Sequence, residues 1–493
     1  MSKKLAKLRP IKKQLDDISK ILDNIKLLRE LGEYKDAIEK IESLNIEQID
    51  KMYKNGHLDL YFKYYDELLS NMWYSYDNEK KLLTYNKFRN FYNNVKSDDK
   101  LCNMVKNHIY RLYTNLTYYL SDISFFDSEI NTDKTIVILC YQNNNFYWDD
   151  TTKCLNGSEE AVVYISDELV KLGYRVIIFG NPNSDNIKRL PYSNPQYVNA
   201  NEFNNYVTIY NKNNRLIDNL IIWRQFDKND LSKYSKKTYL WIHDIVYKNN
   251  LNMYNLRGIT GILWLSDFHR MDAESKCPYL RIFESNEYKI YGNGVLESQF
   301  SLSNTITKKP FSCIYASNYV RGLEILLDIW PDVKKEIPEA SLNIYYGWNT
   351  WCNVSNDWLT SMKNKIKELE LLDVKEHGSI DHINLAKKFT ESEFWLYPCT
   401  YPETFCITAL KAQLAGAIPI YHNYAALNDT VAYGYNVDNI KDYKDTVIHA
   451  MKESKEKNNE MIEMRKNMRD WVLKKYTWGV VAKRWDNEFT KLI

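Results

Sequence analysis

One stretch joins a carboxylate, a helix-length segment, a glycine turn and a strand: Tyr401-Pro-Glu-Thr-Phe-Cys-Ile-Thr-Ala-Leu-Lys-Ala-Gln-Leu-Ala-Gly-Ala-Ile-Pro-Ile420. Glu403 stands just ahead of the helix. The spacing predicts that the backbone N–H groups of Thr404, Phe405 and Cys406 are unpaired donors at its N-terminus, where the positive dipole end can receive a phosphate or a sugar hydroxyl. The same position suits a capping or first-turn acid with no ligand. Arg321, just before Gly322 and a second helix, offers a planar, permanently charged fork to a diphosphate, or is a solvated helix-start arginine. Gly157, followed by Ser158, permits close backbone approach where a third helix opens. His243 and Asp244 close a strand, where open α/β sheets bind ligands, although a histidine there also suits a satisfied core position. Asp149-Asp150 is adjacent rather than spaced, and Asp227 and Asp230 are too far apart for an Asp-x-Asp site, so a site without a metal is expected.

The elements that must carry these residues are legible from texture. From Met1 to Asn131 the pattern is helical, with Ile11, Leu15, Ile18, Leu22 and Ile25 in one apolar stripe that Gly32 ends. The stripe suits a helical bundle or an oligomerisation seam. After a polar break, short β-rich runs alternate with helix-length segments. Strands are expected at Thr135–Cys140, Arg175–Phe179, Leu220–Trp223, Thr238–Ile242 and Gly261–Leu265, with a helix at Glu159–Lys171. After a turn at Gly292-Asn-Gly-Val295 the alternation restarts, with strands at Phe311–Tyr315, Ser341–Tyr346, Val374–His377, Phe394–Tyr397 and Ile418–Tyr421. Strand, crossover helix, strand is the form of a doubly wound parallel sheet, and two such sheets facing a cleft can hold a nucleotide-linked substrate.

Composition narrows the classes. The 493 residues suggest about three domains at ~150 residues each. Lys and Arg together number 66 against 64 Asp and Glu, so no chain-wide basic field exists to bind nucleic acid. The eight cysteines form no C-x-x-C pair and several lie in apolar runs, as reduced, buried thiols do. No apolar run approaches a membrane span, and no h-region follows the lysine-rich start, so a soluble, cytoplasmic protein is expected. The basic run Lys3, Lys4, Lys7, Arg9, Lys12, Lys13 reads as a solvated end or as a peripheral contact to an anionic membrane.

The 401–420 stretch resembles the E-x7-E segment of retaining GT-B glycosyltransferases of the group 1, family 4 type. Other stretches fall in the matching order. Phe311 to Leu327 resembles the strand, donor-phosphate loop and helix opening that family's second domain. Asn156-Gly-Ser-Glu-Glu-Ala161 resembles its Gly-rich loop, and Leu240-Trp-Ile-His-Asp244 its buried strand ending in His-Asp. Gly292-Asn-Gly-Val295 resembles its interdomain turn, and Tyr476-Thr-Trp478 with Trp485 its closing helix. The likeness covers residues 132–490. It implies an α/β GT-B fold: two Rossmann-like parallel-sheet domains facing a cleft (132–300, acceptor side; 301–470, donor side), a helix at 471–493 crossing back, and an added all-α domain at 1–131.

The resemblance further implies a nucleotide-sugar donor, UDP- or GDP-linked, a glycan, lipid or protein acceptor, and no cofactor. Glu403 and His243 would be catalytic, and Asp244 would touch acceptor or sugar. Gly157, Ser158, Ser317, Arg321, Gly322, Thr404, Phe405, Cys406 and Lys411 would hold the donor. One residue departs from the pattern. The second carboxylate of the motif, which in that family holds the ribose, falls at Lys411, and an ammonium only donates. Either the ribose is held otherwise, or Lys411 meets a phosphate, or donor binding is impaired and the chain acts by partner binding through its helical domain. A GT-B epimerase or phosphorylase would share the same two-sheet cleft.

Overall fold

The computed structural model describes residues 134–140, 156–181, 194–212, 215–225, 231–248, 251, 256–283, 290–301, 306–348 and 354–491, with shorter stretches between 20 and 57. The chain forms two compact units, residues 1–126 with 184–193, and residues 127–183 with 194–493. In the first, residues 20–28 are helical, Leu22 and Ile25 are buried, and Gly32 turns the chain at φ +77°. The remaining stripe residues Ile11, Leu15 and Ile18, the basic run from Lys3 to Lys13, and the candidate metal residues Asp149, Asp150, Asp227 and Asp230 lie outside the described residues.

The second unit holds two six-stranded sheets. The first comprises β1 (Thr135–Leu139), β2 (Arg175–Gly180), β3 (Gln196–Asn199), β4 (Ile217–Trp223), β5 (Ser235–Trp241) and β6 (Gly261–Ile262), in the order β3-β2-β1-β4-β5-β6. Its described helices are α1 (Gly157–Lys171), α2 (Phe203–Lys212) and α3 (Asp267–Lys276). The second comprises β7 (Lys309–Ala316), β8 (Ser341–Tyr345), β9 (Val374–Glu376), β10 (Ser392–Tyr397), β11 (Ile418–His422) and β12 (Tyr435–Val437), in the order β12-β11-β10-β7-β8-β9. Between its strands run α4 (Leu323–Glu336), α5 (Asn356–Leu369), α6 (His382–Glu391), α7 (Ile407–Ala415) and the short α8 (Leu427–Thr430). Three helices, α9 (Tyr443–Glu456), α10 (Asn458–Lys475) and α11 (Trp478–Thr490), close the chain. Every pairing is parallel. This is the two-domain, Rossmann-like GT-B fold.

Strands buried on both faces need continuous apolar runs, and β1, Thr135-Ile-Val-Ile-Leu139, is buried throughout. All ten expected strands form, with ends shifted by up to three residues. The unforeseen β3 and β12 are the outermost strands of their sheets. In each sheet the order reverses at one place, between β1 and β4 and between β7 and β10, leaving a crevice beyond the strands' C-terminal ends.

Helix α11 returns to the first sheet: Trp485 meets Trp241 edge-on at 4.7 Å, and the Tyr174 hydroxyl donates to Asp486 at 2.7 Å. The Gly292–Val295 turn lies beside Tyr476–Trp478, with Val295 N–H donating to the Tyr476 carbonyl at 2.8 Å. A Cβ at Gly294 would come within 2.7 Å of Trp478, so this crossing requires glycine.

Gly322 has a similar duty at the β7–β10 crevice. Its φ is +102°, and a Cβ there would sit 2.2 Å from the Pro398 carbonyl oxygen. The loop after β7 can therefore press against the end of β10 only through glycine. Gly322→Ala is expected to destabilise the protein by roughly 1–3 kcal/mol, read as a lowered denaturation midpoint with an unchanged denaturant slope.

Candidate active site

At the β7–β10 crevice the site is built around Glu403, in the loop after β10. The carboxylate is 5 % exposed. Arg321 Nη1, in the loop after β7, donates to its Oε1 at 2.8 Å and its Oε2 at 3.0 Å. The Tyr397 hydroxyl, at the end of β10, donates to Oε1 at 2.5 Å. Burial is the largest influence and opposes the Arg321 charge, but Glu403 together with Tyr397, Cys399 and Tyr401 outweighs it, and the guanidinium pKa is raised. The Arg321 guanidinium also lies 4.5 Å from the centre of the half-exposed Tyr401 ring.

The first sheet contributes the facing wall. His243 follows β5, is 8 % exposed, and packs against the rings of Trp241 and Trp223 at 4.6 and 5.9 Å. Burial and then Arg224 push its pKa well below the usual histidine value, so the ring is neutral near pH 7. Among the described residues its Nε2 has no hydrogen-bond partner. Asp244, exposed, takes a two-pronged ion pair from Arg224 after β4: Nε to Oδ2 at 2.8 Å and Nη2 to Oδ1 at 3.0 Å. Arg224 holds φ +61°, a left-handed conformation rare outside glycine. It also donates to Ser158 Oγ at 3.3 Å and lies 3.9 Å from Glu159, tying β4, β5 and α1 together.

The two sheets meet here. A Cβ at Gly157, the first residue of α1, would lie 3.3 Å from Ile407 Cδ1, the first residue of α7. Thr404 Oγ1 donates to the His243 carbonyl at 2.7 Å, and Ser266 Oγ donates to the Thr404 carbonyl at 2.7 Å. Lys411, on α7, reaches Glu160 on α1, Nζ to Oε2 at 2.8 Å, with both groups buried. Among the described residues Glu160 Oε1 has no hydrogen-bond partner, and His382 Nδ1 lies 3.7 Å from it.

One expectation is corrected. Thr404, Phe405 and Cys406 are not the first N–H donors of the helix, because α7 begins at Ile407 with Cys406 as an extended N-cap. Thr404 is held out of the helix by its two bonds to the first sheet, and Phe405 packs edge-on against Tyr476 at 5.9 Å. Cys406 is buried beside Glu403, and burial followed by that carboxylate pushes its thiol far up, so it is a packed thiol. Ser317 Oγ lies 3.0 Å from the Tyr397 hydroxyl, which turns it toward the clamp. The expected residues Gly157, Ser158, His243, Asp244, Ser317, Arg321, Gly322, Glu403 and Lys411 all gather at the facing ends of the sheets. Sequence reading missed Arg224, Glu160, His382 and Tyr397. Glu160 lies within the 156–161 stretch but nothing there marks it as a partner of Lys411; Arg224, His382 and Tyr397 sit in no local motif, and Tyr397 looks like one more apolar residue of a buried strand.

The sequence matches no protein-family model and no curated protein. Solved structures share the GT-B fold. A glycosyltransferase from Rickettsia africae superposes with a TM-score of 0.56 at 14 % identity, covering 73 % of this chain and 98 % of that one. Sucrose-phosphate synthase from Thermosynechococcus elongatus gives 0.53 at 15 % identity, covering 72 % and 98 %. The pneumococcal O-GlcNAc transferase GtfA, in complex with UDP and GlcNAc, gives 0.51 at 12 % identity, covering 72 % and 98 %.

Lys411→Met leaves a buried carboxylate without its cation and is expected to cost about 3–5 kcal/mol, most of it recovered by Lys411→Met with Glu160→Met, in a denaturant-based double-mutant cycle. Acid should also destabilise. Burial, partly offset by the Asp244 carbonyl that accepts from its Nε2, lowers the His269 pKa to about 4. That lies below the unfolded value of about 6.5, so the unfolded state binds the extra proton. Stability is therefore full above pH ~6.5 and falls toward pH ~4, and His269→Gln should flatten that part of a melting-temperature series.

Proposed function

We propose that the chain transfers a sugar from a nucleotide-sugar donor to an acceptor hydroxyl, with retention of configuration and without a metal. The observation that carries this reading is Glu403: a buried carboxylate at the crevice of the second sheet, one residue from the Thr404 contact to His243 of the first. The GtfA structure with UDP and GlcNAc, on the same fold, supports a UDP-linked donor over a GDP-linked one.

In this reading the donor sugar lies between Glu403 and the buried, unpartnered Nε2 of His243. The bond from the anomeric carbon to the diphosphate oxygen breaks as the acceptor oxygen attaches on the same face. The acceptor proton passes to the departing phosphate oxygen, so no side-chain base is needed. Glu403, paired with Arg321, faces the oxocarbenium-like charge that develops on the sugar. The first N–H groups of α4 and α7 and the Arg321 guanidinium meet the charge on the leaving diphosphate. Apposition of the two sheets' ends excludes water and limits hydrolysis of the donor.

A second reading rests on a specific observation. Arg321, Lys411 and Arg224 are each already paired with a carboxylate, Glu403, Glu160 and Asp244. A diphosphate thus meets cations whose charge is spent, which favours a weakened transferase acting through a partner. A thermal-shift screen with UDP, GDP, ADP, UDP-glucose and UDP-GlcNAc, with and without EDTA, separates the two. Stabilisation by a uridine nucleotide that EDTA leaves unchanged supports transfer; no stabilisation by any nucleotide supports the partner reading. Glu403→Gln is expected to lower turnover by about 10²–10³-fold with a modest change in nucleotide affinity, and wild-type turnover in that variant would remove Glu403 from the chemistry.

A further inference from the structure

We propose that Tyr397 is a positioning residue for Glu403, its phenol holding the carboxylate in one orientation through a hydrogen-bonded chain that begins at Ser317. This rests on the transferase reading and names a residue that reading does not require. The chain's direction follows from proton counting. A phenol has one proton, and the 2.5 Å contact to Glu403 Oε1 uses it, because an ionised carboxylate only accepts. Ser317 Oγ, 3.0 Å from the same phenol oxygen, must then be the donor in that contact. The order is Ser317 to Tyr397 to Glu403, each hydroxyl polarising the next.

The arrangement spans the crevice where the sheet order reverses. Ser317 follows β7, Tyr397 ends β10, and Arg321 approaches the same carboxylate from the loop before α4. Arg321 alone would leave Glu403 free to rotate about one guanidinium nitrogen, since a single Nη1 serves both oxygens. The phenol on Oε1 removes that freedom, leaving the outward lone pairs of Oε2 for whatever lies in the crevice. Tyr397 is fully buried, and burial followed by the nearby Glu403 charge drives its pKa far above the ordinary phenol value, so it remains a donor throughout the working range. The other titratable groups that feel the Glu403 charge include Tyr315, Tyr401, Cys399 and Cys406; among the described contacts none of these donates to it, and the Tyr315 hydroxyl donates to the Asn318 carbonyl instead. The ring of Tyr397 stacks on Trp395 at 4.9 Å, a contact that phenylalanine would keep.

Tyr397→Phe therefore removes the hydroxyl while retaining the packing. Nucleotide release from UDP-glucose and UDP-GlcNAc by the full chain is the activity measured. The variant is expected to lose roughly 10- to 100-fold in kcat, the scale of a hydrogen bond to a charged group, with the donor KM little changed and a modest fall in melting temperature, because Glu403 keeps Arg321 but loses one buried donor. Ser317→Ala should move kcat in the same direction by less. In a Glu403→Gln background Tyr397→Phe should have no further effect, because a residue acting through Glu403 has nothing left to position. An unchanged kcat in the single variant, or an equal loss in both backgrounds, overturns the proposal. A second readout needs no substrate: the short O–H···O contact should give a far-downfield proton resonance that disappears in both Tyr397→Phe and Glu403→Gln. Its absence from the wild type overturns the clamp itself. A resonance that is present in a protein releasing no nucleotide from either donor overturns the transferase reading, and the positioning role with it.

Discussion

A carboxylate taken out of water needs a cation and hydrogen-bond donors at fixed positions, and this protein places several of them where two parallel sheets face each other. Glu403 is answered by Arg321 and Tyr397, and Glu160 by Lys411, with every group buried or largely so. An ion pair of this kind costs desolvation on both sides and repays it only with good geometry. The surrounding backbone must therefore hold its place closely, and glycine is required at two of its close approaches: at Gly322 against Pro398 and at Gly294 against Trp478. The site and the close approach of its loops thus share one constraint.

The Lys411–Glu160 pair shows the logic of a substitution across an interface. A carboxylate at 411 would face Glu160 as a like charge in a buried place, which is costly. Lysine there turns the contact into an attraction that joins α1 to α7, and with them the two sheets. The lysine that looked like a loss when read along the chain is a structural partner when read across the crevice. The same pairing explains why the cleft combines a high density of charge with no surplus cation among the described pairs. In the proposed transferase reading, a donor phosphate would share Arg321 with Glu403 or draw on the dipoles of α4 and α7.

Much of the fold was legible because a doubly wound sheet leaves a strong imprint. Central strands such as β1 and β4 are buried on both faces, so their runs of Ile, Val and Leu stand out between helix-length segments. The imprint fades at two of the four sheet edges, where Gln196-Tyr-Val-Asn199 and Tyr435-Asn-Val437 are short, partly polar strands with a single neighbour. The start of α7 was misread by a few residues, since nothing local announces that Ser266 and His243 will hold Thr404 out of the helix.

Sequence alone determined the order of strands and helices, the place where the alternation restarts, and a set of polar residues at loop positions that the fold turns into one site. Those depend on short-range patterns, periodicity, glycine turns and motif spacing, which the chain carries locally. Tertiary structure alone decided what each of those residues touches. Arg321 lies 82 positions from Glu403 and Lys411 lies 251 from Glu160. Pairing over such distances is set by how two sheets pack, because a buried charge takes whichever opposite charge the folded backbone brings within reach.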